Sequence, residues 1–144
     1  MTRVLKKDVT KKPPVGDRAV VGFKGNEFRM QDLKKANFRG KDLRGYNFFK
    51  ANLAGAKLAG CSLKGVNLRG AVLRYADLTL ADLSGADLRE VKFTGAFVDY
   101  ANFDGADLRG ATGLDLIKGE PRNFDKTIRG DIVEYERDTW WGDK

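Results

Sequence analysis

The sequence predicts an all-β solenoid, a chain wound in short strands and corners around one continuous core. Three observations lead there. From Asn26 to Gly110 the chain divides into seventeen consecutive pentapeptides without an insertion. The third position is apolar in every one: eleven Leu, five Phe and one Val, Val98. Ten of the first positions are Ala and ten of the last are Gly. Self-similarity at a fixed short period marks a repeat architecture, and this period decides the backbone. Five residues advance an α-helix by about 500°, so the third positions would step around the cylinder and form no stripe. In an extended chain, positions one and three face the same way. Ala and Leu then share an interior, and the polar residue between them faces out. The next Ala follows Leu by an odd three residues, so positions four and five must turn the chain. Gly at position five supplies the positive φ that such turns often need.

The elements follow in order. Residues 1–18 carry Lys6, Lys7, Lys11 and Lys12 before Pro13 and Pro14, with little apolar material, and read as an extended basic arm. Val21–Gly25 is in register as a degenerate leading pentad, so the solenoid is placed at 19–112, with regular repeats over 26–110. Its first coil holds Asn26, Gln31 and Lys41 where later coils hold small residues, and Tyr46 opens the next. Polar groups there point to a coil end that is partly wet or covered by something polar. After Ala111 and Thr112 the register fails, because Gly113 falls on the core position. Residues 113–144 therefore read as a C-terminal cap or extension. Pro121 sets a turn in it, Thr127–Tyr135 alternates weakly enough to allow a strand, and Trp140 and Trp141 stand near its end. A terminal coil exposes apolar side chains and a strand edge. The tail either folds back over that edge or reaches a partner, for which Trp is a frequent anchor.

The pattern of Ala76-Asp77-Leu78, Ala81-Asp82-Leu83, Ala86-Asp87-Leu88 and Ala106-Asp107-Leu108 resembles the pentapeptide-repeat family, and the resemblance covers 85 of 144 residues. It implies a right-handed quadrilateral β-helix with four pentads per coil. Seventeen pentads then make about four coils, roughly 20 Å tall at ~4.8 Å per layer. Residues twenty apart would stack: Phe28, Phe48, Leu68, Leu88 and Leu108 in one interior column, Phe38, Leu58, Leu78 and Val98 in another, and Ala36, Ala56, Ala76 and Ala96 in a small-residue column. Cys61 falls on an inward position between Lys41 and Ala81 and reads as a small buried residue. The resemblance says little about function, although some members of the family resemble DNA and bind type II topoisomerases.

Composition narrows the chemistry. The chain is 42% hydrophobic and 33% charged with net charge +7, the balance of a soluble protein. Without histidine, His-based acid–base catalysis, Ser–His or Cys–His pairs and His-ligated metal sites are excluded. A lone cysteine forms no internal disulfide or thiolate cluster, which fits a reducing compartment. There is no apolar run of about eighteen residues and no apolar signal core. The expected setting is the cytoplasm or a large intracellular or virion-type assembly. Asp77, Asp82 and Asp87 lie on different faces of a filled solenoid, and no Gly-rich phosphate loop of the G-x-x-x-x-G-K-[ST] type is present. The expectation is a protein that is not an enzyme and takes no cofactor or metal.

Specificity must then sit on the outer surface. Val72, Tyr75, Leu80, Phe97 and Tyr100 occupy outward or corner positions that the repeat usually fills with polar residues or Gly, an apolar patch that should contact something. The candidates are the chain's own tail, a second copy and another protein. Arg29, Arg69, Arg89 and Arg109 stack with Phe49 at fourth positions as a basic stripe. It could clamp carboxylates or phosphates, or pair with Asp87 and Asp107 as solvated surface charge. Charge is also sorted along the axis, net +13 over residues 1–75 and net −6 over 76–144. The leading expectation is a non-catalytic interaction or scaffolding subunit, with arm, tail (Trp140, Trp141) and patch meeting other protein subunits. Self-association through the patch or head to tail is open. Topoisomerase binding by DNA mimicry is an alternative, although only the acidic C-terminal half could serve it. Nucleic-acid binding through the basic N-terminal half is another.

Overall fold

A computed structural model describes residues 27–130 and the backbone of a short strand, β1, at Arg18–Ala19. The Lys-rich segment of the arm, the leading pentad Val21–Gly25, Trp140, Trp141 and most of Thr127–Tyr135 lie outside the described residues.

The chain is a right-handed quadrilateral β-helix. Its second pentad positions form parallel ladders, one for each face. The first face runs Glu27, Asn47, Asn67, Asp87, Asp107 and Ile128, and the second Asp32, Asn52, Val72, Lys92 and Thr112. The third runs Asn37, Lys57, Asp77, Phe97 and Lys118, and the fourth Asp42, Ser62, Asp82, Asn102 and Arg122. Around Leu53 the bonding is representative. Its N–H donates to the Val72 carbonyl (2.8 Å) and the Val72 N–H returns to Ala51 (3.0 Å). The corner closes when the Ala56 N–H donates to the Leu53 carbonyl (2.9 Å). Residue five of each pentad holds the positive φ that makes this a type II turn. Glycine does so at Gly55 (φ 67°), but Tyr75 (60°), Leu80 (62°) and Tyr100 (59°) do so as well.

The polar second position has a local task that its outward direction conceals. Its carboxylate or amide oxygen accepts the N–H of residue four: Asn52 from Ala54 (3.1 Å), Asp77 from Thr79 (3.1 Å), Asp82 from Ser84 (3.0 Å). Asp and Asn are short enough to make this Asx bond, which holds the corner and satisfies an N–H that the ladder leaves over.

Inside, the Leu, Phe and Ala columns stand as the twenty-residue stack requires, with Leu58, Leu68, Leu78, Ala56, Ala76 and Ala96 fully buried. Aromatic rings close both ends. Phe28 stacks on Phe48 (5.1 Å) and on half-buried Tyr46 (5.4 Å), with Phe38 edge-on to both phenylalanines. At the other end Phe103 meets Phe124 edge to face at 5.3 Å. Gln31 and Lys41, on inward-type positions of the first coil, are exposed. Beneath them β1 pairs in parallel with β2 (Ala36–Asn37), Arg18 against Ala36.

Past Thr112 the five-residue step ends, yet the winding continues. Lys118 pairs with Phe97 and Ile128 with Asp107, twenty-one residues on, while Arg122 keeps the twenty-residue spacing to Asn102. The extra residues are absorbed in short 3-10 helices at Leu114–Leu116 and Phe124–Lys126. These deliver Leu114 and Phe124 into the core, 7% and 3% exposed. Gly113 (φ 77°) allows the shift, since a Cβ there would lie 2.5 Å from the Thr94 nitrogen. The final core position among the described residues is Arg129, whose guanidinium carbon sits 4.5 Å from the Phe124 ring centre. Its Nη2 donates to the Phe124 carbonyl and its Nε to Thr127 Oγ1. A charged group thus closes the apolar column, its donors turned onto the last corner.

Candidate protein-interaction face

The basic stripe on the first face is matched by carboxylates. Arg29 pairs with Glu27 (2.9 Å) and Arg69 with Glu90 (3.3 Å). Arg89 grips Asp87 with two bonds (2.9 and 2.8 Å) and approaches Asp107 at 4.0 Å, while Arg109 grips Asp107 with two (2.9 and 2.6 Å). The guanidinium bonds hold the Asp87 and Asp107 carboxyls below the usual carboxylate range, against the opposing effect of partial burial. Four guanidinium groups therefore face four carboxylates. The row is closer to a charge lattice than to an open anion clamp.

The apolar residues sit elsewhere. Phe97 is on the third face, and both corners bounding that face carry bulky side chains. Leu80 and Tyr100 stack on one corner, where the Leu80 N–H donates to Asp99 (2.9 Å) and the Tyr100 N–H to Glu120 (3.0 Å). Tyr75 is on the opposite corner, one layer below Gly95, whose N–H donates to Leu116 (3.0 Å). Tyr75 (59%), Leu80 (63%), Phe97 (41%), Tyr100 (62%) and Leu116 (54%) are all open to solvent. The Tyr75 ring packs against Gly95, so that a Cβ there would come within 2.4 Å of it. Lys118 Nζ stands 5.4 Å from the Phe97 ring centre. Leu116 could not be assigned to this face from the sequence, because the one-residue shift at Gly113 puts it there. Val72 is not with the others. It occupies the second face between Asn52 and Lys92, half-buried.

Tyr75, Leu80 and Tyr100 hold left-handed backbone conformations that disfavour side chains by about 1–2 kcal/mol. Position five takes Gly in ten of seventeen pentads, and Met30, Lys35, Lys50 and Glu90 hold the same left-handed conformation elsewhere. The third face gathers three large exposed side chains there, Tyr75, Leu80 and Tyr100, beside Phe97 and Leu116.

Cys61 is buried, and its thiol donates to the Phe38 carbonyl (2.8 Å). Burial pushes the thiol pKa up, which opposes reactivity. Among the described residues no group of His, Cys, Asp and Glu is placed to hold a metal ion, and no helix is long and apolar enough to cross a membrane.

Ladders twenty residues apart, Asx-held corners and a filled interior define a pentad-built β-helix. The family model for pentapeptide repeats matches in eight copies, over residues 32–65, 51–89, 61–97 and 86–112. The chain belongs to the pentapeptide-repeat family, whose members are in general structural or interaction proteins. Among solved structures it is similar to the pentapeptide repeat protein Rfr23 of the cyanobacterium Cyanothece 51142. Identity is 28% over 68% of this chain and 63% of that one, with TM-score 0.56. The chain thus spans less than two thirds of Rfr23. It is also similar to alr5209, a pentapeptide repeat protein of Nostoc PCC 7120 (32% identity, 77% and 80% covered, TM-score 0.44). A third is QnrB1, a plasmid-mediated fluoroquinolone resistance protein (20% identity, 88% and 78% covered, TM-score 0.45). Comparison with curated proteins gives no match.

Proposed function

We propose that the protein is a non-catalytic interaction or scaffolding subunit, a rigid β-helix that docks to other proteins through its third face and through the arm and tail at its ends. The observation that carries this reading is the exposure of Tyr75, Leu80, Phe97, Tyr100 and Leu116 together on one face and its two corners. A filled solenoid offers function only on its exterior, and an apolar face rimmed by charge is the usual form of a protein contact. The pairing of Arg29, Arg69, Arg89 and Arg109 with carboxylates leaves that row little net charge to offer phosphate, which favours a protein partner over nucleic acid.

Crosslinking with mass spectrometry in the native source, followed by pull-down with full-length and altered chains, tests the reading. Partners should be lost when Leu80 and Tyr100 become Asp, and when residues 1–17 and 131–144 are removed. The deletion stops at 131 because Phe124–Gly130 completes the last coil. Partners retained by both variants would refute it.

A further inference from the structure

We infer that the third face is an isologous interface between two copies of this chain, packed with their axes antiparallel. The inference rests on reading that face as an interaction surface and names its occupant. A two-fold axis lying in the contact plane, across the coils at the height of Phe97, sets each copy's residues against the partner copy's residues of the same column in reversed order. Phe97 then meets its own counterpart. Asp77, one layer below Phe97 on the third ladder, meets the Lys118 of the other copy, one layer above. On one corner Tyr75 meets Leu116 of the other copy, and on the opposite corner Tyr100 meets Tyr100. Leu80 faces the corner of Glu120, where an aliphatic stem can cover it.

The parallel alternative fails on charge. A two-fold along the solenoid axis would keep heights unchanged, setting Asp77 against Asp77 and Lys118 against Lys118. Like charges directly opposed disfavour that arrangement, whereas the antiparallel one converts both into attractive pairs; it leaves Asp99 near its own counterpart, with that carboxylate turned onto the Glu120 N–H (3.0 Å). Within one copy Asp77 and Lys118 are two layers apart, about 10 Å, too far to pair with each other. The ion pair is therefore available only between copies.

The area is sufficient. The five apolar side chains expose on the order of 500 Å², so two copies would bury about 1,000 Å² before their polar rim is counted. That reaches the range of specific but reversible contacts and fits a micromolar dissociation constant.

The test is sedimentation equilibrium of the full chain across micromolar to submillimolar concentration. A reversible species of twice the 16.0 kDa chain mass is expected. Phe97→Glu should weaken it by about tenfold or more. Asp77→Lys and Lys118→Asp should each weaken it by on the order of tenfold, since symmetry repeats every contact twice. The double variant D77K/K118D should restore it. Lys is compatible with that ladder position, because Lys57 and Lys92 occupy the same place in their own pentads. A chain monomeric at every concentration overturns the proposal. So does a dimer indifferent to Phe97→Glu, or a double variant that stays as weak as the singles. A monomer that dimerises only after removal of residues 131–144 would mean that the tail covers the face, and overturns it too. The wider interaction reading is decided separately, by the pull-down.

Discussion

Gly95→Ala separates the two reasons for glycine at a corner. At Gly85 (φ 66°) an added methyl group meets nothing within 4 Å, so Gly85→Ala reports the left-handed conformation alone. That strain is about 1–2 kcal/mol, offset by about 0.4–1 kcal/mol from the lower freedom of the unfolded chain. A net loss of roughly 0.5–1 kcal/mol is expected. Gly95 has a similar φ (75°), but its Cβ would fall 2.4 and 2.5 Å from ring carbons of Tyr75. The ring must swing away and give up part of the two fifths of the residue's surface now covered, at most on the order of 80 Å², or about 2 kcal/mol at ~25 cal/mol per Å². Gly95→Ala should therefore lose more than Gly85→Ala, up to about 3 kcal/mol. Urea unfolding of both variants measures the difference, and Tyr75→Ala completes a double-mutant cycle. With the ring gone, Gly95→Ala should lose no more than Gly85→Ala. Equal losses at Gly95 with and without the Tyr75 ring would refute the reasoning, because the ring would then have no seat to lose.

Further outcomes follow from the same structure. Asp82→Ala removes the acceptor for the Ser84 N–H (3.0 Å) and hydroxyl (2.7 Å) and should lose about 1 kcal/mol in urea unfolding, while Asp82→Asn keeps the acceptor and should lose little. The Cys61 thiol should resist a disulfide reagent in the native chain and react at once in denaturant, as its burial requires. Acid titration of stability carries a defined sign. Bonds from Arg44 draw the Asp42 carboxyl down to about 2, and Asp87 and Asp107 are lowered by Arg89 and Arg109. Depressed carboxyls contribute stability above their unfolded value near 3.9 and lose it as pH falls through the folded value. Thermal stability should accordingly decline between about pH 4 and pH 2, and Asp107→Asn should flatten that decline.

The winding and the core were legible because the third-position Leu and Phe repeat without interruption, and a period of five admits one backbone. The last coil was not. One residue is gained near Gly113, given back before Arg122 and gained again before Ile128, so the five-residue step is lost and Leu114 and Phe124 read as tail although they fill the interior. The same shift hid Leu116 from the apolar face. Val72 was placed in that group by its chemistry, but its pentad belongs to the second face. The pairing of Asp87 and Asp107 with the arginine stripe is one of the two readings the sequence offers, but the outward direction of a second-position carboxylate says nothing of its reach. Asp77 and Asp82 bend back to their own corners, and Asp87 and Asp107 are taken up by Arg89 and Arg109.

The ladders also decide how such a chain comes apart. Among the described residues every rung joins residues eighteen to twenty-one apart, so none spans the length of the molecule. Each coil is held only by its neighbours, and stability accumulates along the axis in the manner of a one-dimensional array. Opening should begin at an end and travel inward coil by coil, with amide protection deepest near Leu68 and Leu73. A defect in one coil leaves the pitch of distant coils untouched. The basic and acidic ends can thus change independently while the distance between them stays fixed.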